Sequence, residues 1–263
     1  MLQDIVLGIV QGLTEFLPVS SSGHLVVVPA LFGWEQPSLT FDLVLHLGTL
    51  LAVVFAFRAD LVALVLGLLG RGPDPTRARR LLGLLVVGSI PAGVAGLALG
   101  SFFEDLFERP GWVCGFWVVT ALILLAADRH VERFPATTDT VGTRSAVGMG
   151  VAQAAAITPG ISRSGTTIAA GVGFGLTRTE AARFSFLLSI PAILGAVITQ
   201  IPDVTGGEFD LTASVAAGFV AALVSGWLAI EGFLRFLRTH SLRAFALYLL
   251  VVAPVSAVLL WLT

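Results

Sequence analysis

Apolar runs long enough to cross a bilayer recur from one end of this 263-residue chain to the other. Five read as clear spans, at residues 41–57, 81–103, 112–127, 213–234 and 244–262. A sixth, 184–200, is less uniform but long enough. A transmembrane helix needs about 20 apolar residues, allowing for tilt. The runs do not alternate apolar with polar residues, which excludes a β-barrel. Hydrophobic residues make up 56% of the chain and charged residues 12%, whereas a soluble domain carries about 25% charged residues. With a mean hydropathy of +0.94, a soluble enzyme, a disordered chain and a nucleic-acid-binding domain are ruled out. All 15 cations are Arg and the net charge is −2, so no basic platform exists for nucleic acid. Cys114 is the single cysteine, which permits neither an intramolecular disulfide nor a cysteine-rich metal site. It lies in an apolar run and reads as packing. Met1-Leu-Gln-Asp4 lacks a basic leader, so no cleavable signal peptide is expected and the mature protein should begin near residue 1.

Two further apolar stretches, 2–34 and 145–176, are each interrupted by a polar centre containing Pro and Gly. The centres are Pro18-Val-Ser-Ser-Ser-Gly-His24 and Thr158-Pro-Gly-Ile-Ser-Arg-Ser-Gly-Thr-Thr167. Pro and Gly end helices there, and the freed backbone groups need protein or water partners. The arms on either side are too short to span, so both stretches read as re-entrant helical hairpins. Loop charge gives the orientation. The loop 71–80 has four Arg against one Asp, and 235–243 has three Arg and no acid, so both read as cytoplasmic. The segments 104–109 and 203–210 are mainly acidic and read as external. The loop 128–144 is balanced. The short apolar stretch 61–69 reads as lying at the cytoplasmic interface. These assignments agree only if 145–176 enters and leaves on the cytoplasmic side and 2–34 on the outer side.

An internal repeat supports the same topology. At a spacing of 142 residues Gly8 meets Gly150, Gln11 meets Gln153, Ser20 meets Ser162, and Ser22-Gly23 meets Ser164-Gly165. At a spacing of 143, Phe41 meets Phe184. The fold expected is an all-α polytopic membrane protein forming one integral membrane domain over 1–263. Its repeats would cover 1–142 and 143–263, each a re-entrant hairpin plus three transmembrane helices. Three spans per half is odd, so the halves must be inverted, as in transporter folds.

The chemistry-bearing residues cluster at the two hairpin centres. Gln11 and Glu15 are one helical turn apart and share a face. A carboxylate in an apolar arm costs about 2.5 kcal/mol or more, so Glu15 should face a polar cavity. Ser20, Ser21, Ser22 and His24 follow. His24 is a candidate acid, base or phosphoryl acceptor. The second centre supplies Ser162, Arg163, Ser164, Thr166 and Thr167. Arg163 has the fork that grips phosphate oxygens bidentately, and helix N-termini add N–H donors for an anion. This inventory suits phosphoryl transfer on a lipid-borne substrate.

At these residues the chain resembles the undecaprenyl pyrophosphate phosphatases, the bacitracin-resistance (BacA) family of bacteria. The family's (E/Q)xxxE motif is matched by Gln11-Gly-Leu-Thr-Glu15, and its PGxSRSxxT motif by Pro159-Gly-Ile-Ser162-Arg163-Ser164-Gly-Thr-Thr167. The resemblance covers essentially the whole chain. It implies a multi-pass hydrolase of the bacterial inner membrane that converts undecaprenyl pyrophosphate to undecaprenyl phosphate and phosphate. The carrier is thereby recycled for peptidoglycan synthesis, which gives bacitracin resistance. It also implies a divalent metal ion, Mg²⁺ or Ca²⁺, and a site open to the outer face. Carried over by position, Arg163 binds the pyrophosphate, and Glu15 serves the metal or the proton. Ser21 and His24 are candidate nucleophile and acid/base, with the two unranked. Gln11, Ser20, Ser22, Ser162, Ser164 and Thr167 are candidate substrate contacts. Many members have Glu at the position of Gln11. Here one carboxylate remains instead of two, and Gln11 would ligate a metal through its carbonyl oxygen or orient a water.

A second class stays open, a transporter or flippase of a phosphorylated polyprenyl lipid or small anion, since inverted repeats with broken helices serve transport. A transporter needs no nucleophile beside its Arg, so Ser21 and His24 favour hydrolysis. The remaining polar residues have plainer readings. Asp42 and His46 form an i, i+4 pair that could line the cavity. Glu231 pairs with Arg235, also at i, i+4. His130 and His240 read as solvated loop residues. Trp112, Trp261 and Tyr248 read as interface anchors or packing rather than catalysis. The 29 Gly permit close helix approach and possible homodimer packing, without marking a surface.

Overall fold

The computed structural model of the chain describes residues 1–72, 74–107, 110–205 and 212–262. Eleven α-helices stand among them: α1 (Leu2–Phe16), α2 (Ser21–Phe32), α3 (Leu39–Ala56), α4 (Arg58–Leu68), α5 (Pro75–Phe107), α6 (Pro110–Arg133), α7 (Thr143–Ala155), α8 (Arg163–Gly173), α9 (Arg178–Thr205), α10 (Ala213–Phe236) and α11 (Arg243–Leu262). Six of them, α3, α5, α6, α9, α10 and α11, are long and apolar enough to cross a membrane. These six are the runs read from hydropathy, so the chain is a multi-pass membrane protein. The helices outrun the apolar cores that predicted them. The α5 helix starts at Pro75 rather than 81, because a proline fits a first helical turn and the following Arg residues are good helix formers. Likewise α6 runs on to Arg133, so His130 is not a solvated loop residue. It is half-buried in the last turn of α6, with its ring 5.1 Å from Phe134. The expected external segments fall partly on helix ends, 104–107 on α5 and 203–205 on α9. Residues 108–109 and 206–210 of those segments lie outside the described residues.

The lipid-facing surface follows helical spacing. Val86, Ile90 and Val94 on α5, Val220, Val224 and Leu228 on α10, and Val251, Val255 and Val258 on α11 are all exposed. Rows of this kind, at steps of three or four residues, are what a bilayer solvates.

Both interrupted stretches form bent helix pairs whose free ends lie together. In the first, the Gln3 side chain donates to the Glu35 carbonyl at 3.2 Å, tying the start of α1 to the segment after α2. In the second, the Thr137 N–H donates to the Gly175 carbonyl at 3.0 Å, and Thr138 bridges Leu176. The bent tips point at each other. Ser164 Oγ donates to the Leu17 carbonyl at 2.9 Å.

Small residues set these helices in place. A Cβ on Gly8 would lie 2.2 Å from the Gly218 carbonyl oxygen, and one on Gly12 would lie 2.0 Å from Ser225 Oγ, so α1 lies directly on α10. A Cβ on Gly150 would lie 2.2 Å from the Gly88 carbonyl oxygen, so α7 lies on α5 in the same manner. Beneath the tips, Phe16 packs edge-on against Phe186 at 5.4 Å, and Phe186 meets Phe57 and Phe233.

Candidate active site

Each bent tip is a helix stop followed by a serine-capped start. In the first, α1 ends at Phe16, Pro18 follows, and Ser20 caps α2 by accepting from the Gly23 N–H at 3.4 Å. Ser20 takes the chain through a φ of 70°, the one non-glycine residue at positive φ among the described residues. That left-handed conformation costs an ordinary residue roughly 1 kcal/mol or more. In the second, Ser162 caps α8 by accepting from the Gly165 N–H at 3.1 Å. There the positive φ falls instead on Gly160, at 91°. The hydroxyl pairs match as well: Ser20 and Ser22 lie 3.3 Å apart, and Ser162 and Ser164 lie 3.2 Å apart.

Glu15 sits where the tips meet. It is 7% exposed, and Gln11, one turn earlier on α1, is fully buried. Three donors from three helices converge on its carboxylate. Arg163 Nη2 donates to Oε1 at 2.9 Å, Ser21 Oγ donates to Oε2 at 2.5 Å, and Gln11 Nε2 donates to Oε2 at 3.1 Å. Arg163 also reaches the carbonyls of Glu15 and Ser185, at 3.3 and 3.4 Å. A buried carboxylate without such partners would be prohibitive, so this cluster holds itself together through charge-assisted bonds. Four of the predicted residues are thus united: Gln11, Glu15, Ser21 and Arg163.

The other predicted residues lie around them in different roles. Ser20 and Ser162 are spent as caps. Ser164 joins the two tips, and Ser22 faces Ser20. Thr167 turns away, with its hydroxyl 2.6 Å from Ser185 Oγ on α9 and 2.7 Å from the Arg163 carbonyl. The hydrogen bonds of His24 go to neither Ser21 nor Arg163. Its Nδ1 lies 2.7 Å from the Ser20 carbonyl and its Nε2 lies 2.8 Å from Tyr248 Oη. The His24 ring leans on Trp117 at 4.7 Å.

Several participants escaped the reading of the sequence. Tyr248 is not merely an interface anchor, because it holds the His24 ring from α11. On α6, Thr120 accepts from the Ser162 N–H and donates to the Gly160 carbonyl, both at 3.1 Å, pinning the second turn. Ser185 braces Arg163 and Thr167. These partners lie tens to hundreds of residues from the motifs they serve, so no local spacing marks them. His46, by contrast, reads from the sequence with Asp42 as a pair that could line the cavity; it lies within electrostatic range of Glu15, and its Nδ1 sits 2.9 Å from the Asp42 carbonyl and 3.3 Å from Asp42 Oδ2.

A carboxylate, a hydroxyl and a guanidinium locked together where two bent helix pairs meet, inside a six-span helical bundle, define a multi-pass membrane protein with a buried, anion-competent polar centre. The chain belongs to the family described as bacitracin resistance protein BacA, which matches residues 4–255. It is similar to curated relatives named undecaprenyl-diphosphatase. That of Rubrobacter xylanophilus is 44% identical, covering 99% of this chain and 98% of the relative. Those of Methanosphaera stadtmanae, at 40% identity over 98% of each chain, and Moorella thermoacetica, at 42% over 100% of this chain and 98% of the relative, are comparable.

Proposed function

We propose that this protein is an undecaprenyl-diphosphatase, hydrolysing undecaprenyl pyrophosphate to undecaprenyl phosphate and inorganic phosphate and so recycling the carrier for wall synthesis. Its kinship supports the reaction. The observation that carries the site is the Glu15 carboxylate, which accepts from Ser21 at 2.5 Å and from Arg163 at 2.9 Å across the two tips. A transporter needs no nucleophile beside its Arg, so this contact favours hydrolysis.

The roles follow from the bonding. Arg163 is neutralised by Glu15 while no substrate is bound. The terminal phosphate competes for the guanidinium with paired oxygens. As Arg163 turns to it, Glu15 loses its strongest partner and becomes a better base for the Ser21 proton. Ser21 Oγ then forms a bond to the terminal phosphorus while the bridging P–O bond breaks. Undecaprenyl phosphate leaves as a stable phosphate monoester and needs no proton. Water cleaves the phosphoserine in the second half. His24 accepts a proton from that water at Nε2, and Glu15 returns the first proton to Ser21. Arg163 and the N-terminus of α8 stabilise the charge that spreads over the phosphoryl oxygens.

A divalent cation, Mg²⁺ or Ca²⁺, fits the donors present. Gln11 Oε1 is buried without a hydrogen-bond partner, one turn from Glu15. Hard oxygens of this kind suit either ion. Glu15 and Gln11 would hold it, and it would add Lewis-acid stabilisation of phosphoryl charge. Among the described residues no three His, Cys, Asp or Glu side chains gather into a site of their own.

The topology proposed with this function is an inverted repeat in the inner membrane of a bacterium. The α1–α2 pair would be re-entrant from the outer face and α7–α8 from the cytoplasmic face, with the site reached from outside. The matched caps, the matched serine pairs and the matched α1–α10 and α7–α5 glycine contacts support it. The test is phosphate release from undecaprenyl pyrophosphate by purified protein in detergent, with and without chelator, for wild type, Arg163→Ala and Glu15→Gln. Chelator-sensitive release that both variants lose is the expected result. A folded wild type that binds the lipid and releases no phosphate overturns the proposal.

A further inference from the structure

His24 sits in the first turn of α2 and is 5% exposed. Its Nδ1 is 2.7 Å from the Ser20 carbonyl oxygen, which can only accept. Nδ1 therefore carries the proton. In the neutral ring Nε2 is then the acceptor. Tyr248 Oη lies 2.8 Å from Nε2, so the phenol donates. The two rings are nearly parallel, 10° apart, with centroids separated by 5.9 Å. Trp117 closes another side at 4.7 Å. Among the described residues no charged side chain contacts the imidazole. The titratable groups on the helices packed against α2 are Asp4 and Glu15 on α1, Cys114, Asp128, Arg129, His130, Glu132 and Arg133 on α6, and Arg243 and Tyr248 on α11. Of these, Tyr248 alone bonds to the ring.

We infer that Tyr248 is a positioning residue for this reaction, whose hydroxyl holds the His24 ring in place and aims the Nε2 lone pair of the Nδ1–H tautomer that the Ser20 carbonyl sets. The inference rests on the proposed phosphatase role for His24. The geometry is that of a ring fixed at both nitrogens, by a backbone carbonyl on one side and a neutral donor on the other. An acid in place of Tyr248 would draw a second proton onto the ring and abolish the base. An apolar residue would leave Nε2 free to protonate or rotate away. A phenol satisfies Nε2 without competing for the proton, and it can swing off as water enters.

The test is steady-state phosphate release from undecaprenyl pyrophosphate by the full chain in detergent, comparing wild type, Tyr248→Phe, His24→Ala and the double variant. Phenylalanine keeps the ring contact, so the melting temperature should hold. In Tyr248→Phe, kcat should fall about ten-fold or more with KM within about two-fold, since general-base catalysis contributes about 10²–10⁴-fold when intact. In the His24→Ala background the same change should cause no further loss, the mark of two groups acting as one unit. Histidine ¹⁵N spectra, assigned by difference from His24→Ala, should show the Nδ1–H tautomer in both proteins, held by the Ser20 carbonyl, with the Nε2 signal moving downfield in Tyr248→Phe as its lone pair loses the phenol donor. A Tyr248→Phe enzyme with kcat within about two-fold of wild type overturns the inference, as does an equal loss in the His24→Ala background. If wild type releases no phosphate, the phosphatase reading fails instead. The ¹⁵N comparison still decides whether Tyr248 fixes His24.

Discussion

At the scale of single residues, the Glu15–Arg163 pair carries both stability and chemistry, and the two can be separated. Glu15 is buried and Arg163 is partly buried, with side-chain exposures of 6% and 15%. Removing one leaves the other charge without compensation, which typically costs about 3–5 kcal/mol. Arg163→Ala should therefore lower the melting temperature and cut kcat/KM by about 10²–10³-fold, as loss of a phosphoryl-stabilising donor does. Combining Glu15→Gln with Arg163→Gln removes both charges together. That variant should recover most of the lost melting temperature in a thermal unfolding assay and none of the phosphate release. The neighbouring hydroxyls should divide sharply in the same assay. Ser21→Ala deletes the group on Glu15 and should cost about 10²-fold or more in kcat. Ser22→Ala removes only a 3.3 Å contact with Ser20 and should stay within a few-fold.

At the scale of elements, glycine decides how near the tips can come. The α7–α5 contact leaves no room at Gly150, where a Cβ would lie 2.2 Å from a backbone oxygen. Gly150→Ala should cost about 1–3 kcal/mol by forcing the helices apart. Gly93→Ala on α5, which meets nothing within 4 Å, should be neutral or slightly stabilising. Thermal unfolding in detergent compares the two directly. Much of this level was legible in the chain. Six long apolar runs read as spans, and Pro18 and Pro159-Gly160, set among serines, mark breaks, whereas Pro29, Pro91 and Pro254 stay inside helices. Glu15 and Arg163 stood out because an apolar surrounding makes a charge expensive. What the chain could not display was partnership. Nothing near Tyr248 in sequence distinguishes it from an aromatic at a membrane interface. Its bond to His24 comes from α11 meeting α2, across 224 residues. Thr120 is hidden in the same way, since a threonine inside an apolar helix gives no hint that it pins a turn 40 residues on. Caps were the other blind spot, because Ser20 and Ser162 have the same composition as binding hydroxyls and differ only in where the helix starts.

At the scale of the whole molecule, the same geometry constrains how the chain lies in its membrane. The α1–α2 pair begins and ends together at Gln3 and Glu35, and the α7–α8 pair begins and ends together at Thr137 and Gly175. The three spans α3, α5 and α6 lie between them, with α4 too short to cross. With all three crossing, as in the proposed topology, the two open ends lie on opposite faces and the tips would meet head to head within the bilayer. The end carrying Thr137 is also where Arg178 meets Asp128 and Arg183 meets Asp60, each at 2.7 Å. It adjoins the Arg-rich segment that the positive-inside rule reads as cytoplasmic, the side the proposed topology gives it. Cys114 is buried and is the single cysteine, so Cys114→Ala gives a clean background for reporters. In intact cells a membrane-impermeant maleimide should label Glu35→Cys and spare Ala136→Cys and Arg238→Cys, all three sites being exposed. Permeabilised cells should label all three. Labelling of Ala136→Cys together with Glu35→Cys in intact cells would break the inverted arrangement, because the two open ends would then share a face. The reverse pattern, with Glu35→Cys protected, would keep the arrangement and turn the molecule over, delivering phosphate to the cytoplasm.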